Sequence, residues 1–182
     1  GGGRAIKYGV TSRYVLGVEA VLPSGEIVNF GGKRVKDVTG YNMLQLLVGS
    51  EGTLGIFTKV YLKLLPLPPY KIDLLVLFED VGTAISVVPK IMAKSRIVPT
   101  GIEFMDFLSI KTTYEFLGEK MPYPNTGAIL LIELDGNRQE HLREDAMAVS
   151  EILSDQGAIE IYAAETADSQ EKMWRGRGKI SE

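Results

Sequence analysis

Three stretches hold residues whose types and spacing bear on chemistry: GGGRAIKYG at 1–9, GSEGTLG at 49–55 and MWRGRGK at 173–179. Bare glycine backbone suits a ligand that must touch main chain, but it equally suits a tight turn or a helix stop. GSEGTLG has no Lys after its last glycine, and its GxxGxxG spacing leads into a strand pattern, so neither a Walker loop nor a dinucleotide fingerprint applies. By spacing it reads as a helix stop with a turn. GGGRAIKYG reads equally as a loose terminus or as a wall beside a ligand. MWRGRGK sets the single Trp, Trp174, beside three cations. It is either a basic helix end with its charges in water or an anion clamp, since the planar guanidinium fork matches a carboxylate.

Composition removes several alternatives. With Cys 0 there is no disulfide or thiolate chemistry, and a single His rules out a histidine metal cluster within these residues. That residue, His141, lies among Glu140, Arg143 and Glu144 on a wet helical face. Lys33-Arg34-Val35-Lys36 reads as solvated turn. A net charge of -3 gives no reason to expect nucleic acid as a partner. Hydrophobic content of 45% over 182 residues supports a packed core, and no run approaches the roughly 20 apolar residues a membrane span requires. The chain starts without Met and stops at Lys179-Ile180-Ser181-Glu182 within a helical pattern, so it is expected to be a fragment of something longer.

The elements that must position these stretches follow from periodicity. Residues 14–22 and 27–30 read as a hairpin around Pro23-Ser24-Gly25-Glu26. Asn42 is expected to cap a short helix over 43–48, stopped by Gly49, and 54–65 reads as a long strand burying Thr58, Val60, Leu62 and Leu64. Three prolines within 66–69 then break the pattern and make 66–70 a connector between domains at 1–65 and 71–182. Beyond it strands alternate with helices: strands at 72–79, 97–104, 128–135 and 158–163, with helices at about 80–95, 106–117 and 138–156. Asp168-Ser169-Gln170-Glu171 has capping-box spacing before a last helix through Trp174. The class is α+β, with a ferredoxin-like second domain.

GGGRAIKYGVTSRYVLGVEAVLPSGEIVNFGG and KDVTGYNMLQLLVGSEGTLGIFTKVYLKLLPLP together resemble the FAD-linked oxidases, the vanillyl-alcohol-oxidase or PCMH-type flavoproteins, and within them the branch of the flavin-bearing glycolate oxidases and D-lactate dehydrogenases. The likeness is dense to about Pro68 and looser beyond, where IEFMD at 102–106 and MWRGRGKIS are the landmarks. It implies the C-terminal half of a PCMH-type FAD-binding domain followed by a ferredoxin-like cap domain on the substrate side. It places Gly1, Gly2, Arg4, Tyr8, Gly9, Gly55 and Ile56 against FAD, and Arg177 and Ser181 on the substrate, Arg177 at its carboxylate. Arg175, Gly176 and Gly178 depart from the bulkier residues of the family.

The implied reaction is oxidation of a D-2-hydroxy acid, of glycolate or D-lactate type, to the 2-oxo acid. Hydride passes to the flavin while a base takes the hydroxyl proton. In the family the base, and in several members a divalent metal, belong to a more C-terminal part, and the pyrophosphate loop to a more N-terminal one. No catalytic or metal-binding residue is therefore expected here, and the fragment alone is expected to be inactive. The implied partners are the acid, an electron acceptor (quinone, cytochrome or electron-transfer flavoprotein), other oxidase subunits and a second copy as homodimer. The implied location is cytoplasmic, with membrane association through partners. The alternative is a non-catalytic α+β binding or assembly module whose glycines serve only as turns.

Overall fold

The computed structural model describes residues 2–118, 123 and 125–178, with Leu117 and 176–178 as backbone only. The chain divides into two compact units, one built from Gly9–Leu67 with Gly2, the other from Gly3–Tyr8 together with the residues from Pro68 onward.

In the first unit β1 (Val15–Val21) lies between β2 (Ile27–Gly31) and β3 (Ile56–Leu62), both antiparallel to it. Gly25, at φ +85, closes the hairpin, and Leu22 and Glu26 join across it by a 2.9 Å backbone hydrogen bond. Two glycines are there because strands crowd. A Cβ on Gly17 would lie 2.3 Å from the Gly32 nitrogen, and one on Gly31 would lie 2.2 Å from the Leu16 carbonyl oxygen. Asn42 caps the short helix α2 (Met43–Leu47) as its spacing suggests, its side chain accepting from the Gln45 amide at 3.1 Å. The alternation expected to bury one face of β3 does not do so. Val60 is 46% and Leu62 52% exposed, because the described residues of this unit place only Val18, Ala20 and Leu47 in a buried apolar centre around β1 and α2. β3 is an edge strand with nothing of its own unit across from it.

The second unit is a four-stranded antiparallel sheet ordered β5-β6-β4-β7, formed by β4 (Tyr70–Phe78), β5 (Gly101–Asp106), β6 (Ala128–Gly136) and β7 (Ala158–Ala164). This is the ferredoxin-like order. Strand period two assigns the helices to faces. Ile72, Leu74, Val76 and Phe78, with Leu130 and Ile132, pack against α3 (Val81–Ser95) and α5 (Gln139–Asp155). Leu75, Leu77, Ile129 and Leu131 pack on the opposite face with Ile110 of α4 (Phe107–Leu117) and Met173 and Trp174 of α6 (Ala167–Gly178). Both faces of β4 and β6 are covered, which is why LLVLF and AILLI read as unbroken apolar runs.

Two local expectations shift. Residues 97–100 are not strand, and β5 starts at Gly101. The cap of α6 lies two residues earlier than the spacing suggests, at Thr166. There the Ser169 hydroxyl accepts from the Thr166 amide at 3.2 Å, and the Thr166 hydroxyl accepts from the Ser169 amide at 3.3 Å. Asp168 instead sits in the first turn, paired with Lys172 one turn on.

Candidate functional site

β4 and β6 are apolar along most of their length, but their ends break the pattern at alternate positions. Lys71 and Asp73 on β4 face the same side as Glu133 and Asp135 on β6, in direct register as Asp73↔Glu133 and Lys71↔Asp135. This is the face that carries α6. The short helical turn α1 (Ala5–Tyr8) and the residues just before it lie on this charged end of the sheet.

Each charge has a partner from another element. Arg4 Nε is 2.8 Å from Glu133 Oε1, and Lys71 Nζ donates to Glu133 Oε2 at 3.0 Å. Lys71 also reaches Asp73 Oδ2 at 3.3 Å. Lys7 pairs with Asp135, whose second oxygen accepts from the Tyr8 hydroxyl at 2.7 Å. The indole N–H of Trp174 donates to Asp73 Oδ2 at 2.9 Å, and the Lys71 ammonium stands 6.0 Å from its ring centre. Gln170, nearly buried, ties α6 to the sheet through the Lys71 and Ala164 carbonyls at 2.9 and 3.2 Å. Between these groups is a cavity of about 310 Å³ lined by Gly3, Arg4, Lys71, Gly101, Glu133 and Trp174. Gly101 has no room for a side chain, since its Cβ would lie 2.3 Å from the Gly3 carbonyl oxygen. That close approach is what lets the Gly3 backbone form one wall.

Asp73 is fully buried, and its Oδ1 has no hydrogen-bond partner among the described residues. Burial pushes its carboxyl above the usual 3.8, against the opposing pull of Trp174 and Lys71. Asp135 is also pushed up by burial, but hydrogen bonds from Lys7 and Tyr8 outweigh this and hold it below the ordinary value. A folded-state pKa raised above the unfolded one favours folding at low pH, and that advantage is lost as pH rises through the folded value. Asp73→Asn should therefore gain stability relative to the parent as pH rises from about 3 to 7. Urea melts across that range check this; a difference that is flat or falls with pH would contradict it.

The sequence-derived site residues fall in several places. Gly2 has φ +130 and nothing within 4 Å of its missing Cβ, so its backbone is bare toward open space. At Gly9 a Cβ would meet the Arg13 side chain. Gly55 owes its lack of a side chain at least in part to β1, because its Cβ would sit 3.0 Å from the Val21 carbonyl oxygen. Ile56 next to it is 70% exposed. Arg4 and Tyr8 are brought together with Trp174's surroundings on the second unit's sheet. Arg177 lies in the last turn of α6, its side chain outside the described residues, as are Gly1 and Ser181. Sequence reasoning overlooked Lys71, Asp73, Glu133 and Asp135. The available signal was charge recurring at every second position inside otherwise apolar strands. Among the described residues no group of three or more His, Cys, Asp or Glu is arranged to hold a metal ion, and no helix is long and apolar enough to cross a membrane.

Residues 67–182 match the family described as FAD linked oxidases, C-terminal domain. The chain belongs to the FAD-linked oxidases. Its relatives include the D-lactate dehydrogenase of Anaerostipes hadrus, 38% identical over all of this chain and 39% of that protein. The glycolate oxidase subunit GlcD of Bacillus subtilis is 40% identical over 92% of this chain and 35% of its own length. This FAD-linked oxidase chain thus spans well under half of the relatives it matches. In structure it resembles alkyldihydroxyacetonephosphate synthase, with TM-score 0.69 and 20% identity over 98% of this chain and 34% of that one. It also resembles p-cresol methylhydroxylase with substrate bound, with TM-score 0.57 and 20% identity over 83% of this chain and 34% of that one. The fold class expected from sequence, PCMH-type FAD-domain half followed by a ferredoxin-like α+β cap, agrees with these likenesses.

Proposed function

We propose that this chain is part of a longer FAD-dependent enzyme that oxidises a D-2-hydroxy acid, of glycolate or D-lactate type, to the 2-oxo acid. The observation that carries the reading is the fixed seat of α6. Gln170 and Trp174 lock the helix onto the sheet, and position 177 follows Trp174 by three residues, the spacing that puts two positions on one helical face. Arg177 is assigned to the substrate carboxylate and Ser181 to the same substrate. The names of the relatives, D-lactate dehydrogenase and glycolate oxidase subunit, support an acid of this kind.

Gly1, Gly2, Gly9, Gly55 and Ile56 are assigned to FAD, with Arg4 and Tyr8 continuing the same set. The residues fit such a group in part: Gly2 offers bare backbone and Ile56 an exposed apolar side chain, whereas Gly55 is already accounted for by β1. Once bound, FAD supplies the acceptor for the hydride leaving the substrate α-carbon. This chain's part is to bind and orient the acid. The proton-accepting base belongs to residues outside it, so the fragment alone is inactive. The acid's electrons pass onward to an acceptor, and assembly with other subunits or a second copy accompanies that step. Expression of the full-length gene product with a flavin absorbance scan tests the reading, because D-lactate or glycolate must bleach the flavin band anaerobically.

A further inference from the structure

The charges around the second unit's cavity lie in two tiers. Asp73 and Glu133 form the lower tier, directly paired on β4 and β6 and 0% and 4% exposed. Arg4 and Lys71 form the upper tier, with side chains 57% and 29% exposed. Formal charge among the four cancels, but position does not. A solute arriving from water meets the guanidinium and ammonium before the carboxylates, and Coulomb energy is set first by the nearest charge. Both cations keep donors to spare. Arg4 directs Nε and one terminal nitrogen at Glu133, out of five N–H groups, and Lys71 directs its ammonium at two carboxylates, out of three.

The remaining walls suit a small ligand. Trp174 supplies an apolar plate fixed by Asp73, and Gly3 and Gly101 supply bare backbone. The volume, about 310 Å³, lies at the small end of ligand pockets, which run from about 300 Å³ upward. Two other acids belong to this end of the sheet. Asp135 is engaged by Lys7 and Tyr8, and Glu103 sits beside Gly3, its Oε1 3.0 Å from where a Gly3 Cβ would be.

We propose that Arg4 and Lys71, held from beneath by Glu133 and Asp73, form an anion site that takes the carboxylate of a small organic acid. It is separate from Arg177 and needs no flavin, so it stands or falls independently of the proposed reaction. Trp174, the only Trp in the chain, reports on it directly. In the 182-residue chain at low ionic strength, iodide should quench Trp174 at least about twofold more efficiently than caesium, since a cationic surface concentrates anions. Millimolar glycolate should suppress iodide quenching, and inorganic pyrophosphate at equal ionic strength should do so less. Arg4→Met should bring the iodide-to-caesium ratio to about one, and Lys71→Met should lower it in the same direction, which keeps the test decisive if either variant folds poorly. A ratio at or below one in the parent, a ratio unmoved by both variants, or suppression by pyrophosphate but not glycolate would overturn the assignment.

Discussion

Phe78→Ala should destabilise the second unit by about 3–5 kcal/mol, the cost of truncating a fully buried aromatic in a core that cannot collapse around the gap. Phe78 is 0% exposed at the end of β4, within the cluster that joins β4 and β6 to α3 and α5. Its carbonyl accepts from the Gly127 amide at 2.9 Å, so the strand end is pinned and has little freedom to close the hole. Against the 5–15 kcal/mol typical of whole domains, such a loss leaves the unit near its unfolding midpoint. Urea melts followed by Trp174 fluorescence should show a much lower midpoint with the slope unchanged. Leu64→Ala, at a position 84% exposed, should stay within about 0.5 kcal/mol. A Phe78→Ala loss below about 1 kcal/mol would mean that the face under α3 and α5 is not the core.

Arg177→Ala in the full-length protein should lower kcat/KM for D-lactate or glycolate by roughly 30- to 1,000-fold. That range corresponds to about 2–4 kcal/mol for removing one partner of a desolvated, hydrogen-bonded charge pair. If Arg177 holds the carboxylate in ground state and transition state alike, the loss appears mainly in KM. Lys should rescue only part of it, because an ammonium supplies the charge without the planar fork. Unchanged steady-state kinetics would remove Arg177 from the substrate.

The architecture of the second unit was legible because its strands carry apolar runs and its helices carry a repeat near 3.6 residues, which report burial residue by residue. Asp80 and Asp106 cap α3 and α4 through the Thr83 and Ser109 amides, the local chemistry their spacing announces. β3 was less legible. Alternation shows which residues would share a face, but whether anything covers that face depends on residues far away in sequence. The α6 cap moved to Thr166 because a Thr and Ser exchanging hydroxyl and amide hydrogen bonds satisfy the same helix-end donors as the Asp168 spacing. The charged end of the sheet was the largest omission. Lys71 and Glu133 are 62 residues apart, and only the β4–β6 register makes them neighbours. Arg4 and Glu133 are 129 residues apart. Residue types at 1–9 suggested a wall beside a ligand, but the partner strand of that wall cannot be read from the segment itself.

The central claim is that this chain serves flavin-dependent oxidation of a 2-hydroxy acid, and one measurement bears on it most directly. The full-length gene product, purified after reconstitution with FAD, is titrated anaerobically with D-lactate and then with glycolate while the flavin absorbance band is followed. A yellow protein whose band bleaches with at least one of these acids, with the matching 2-oxo acid formed in equal amount, is the expected result. A colourless protein, or a flavin band untouched by both acids, would contradict the claim.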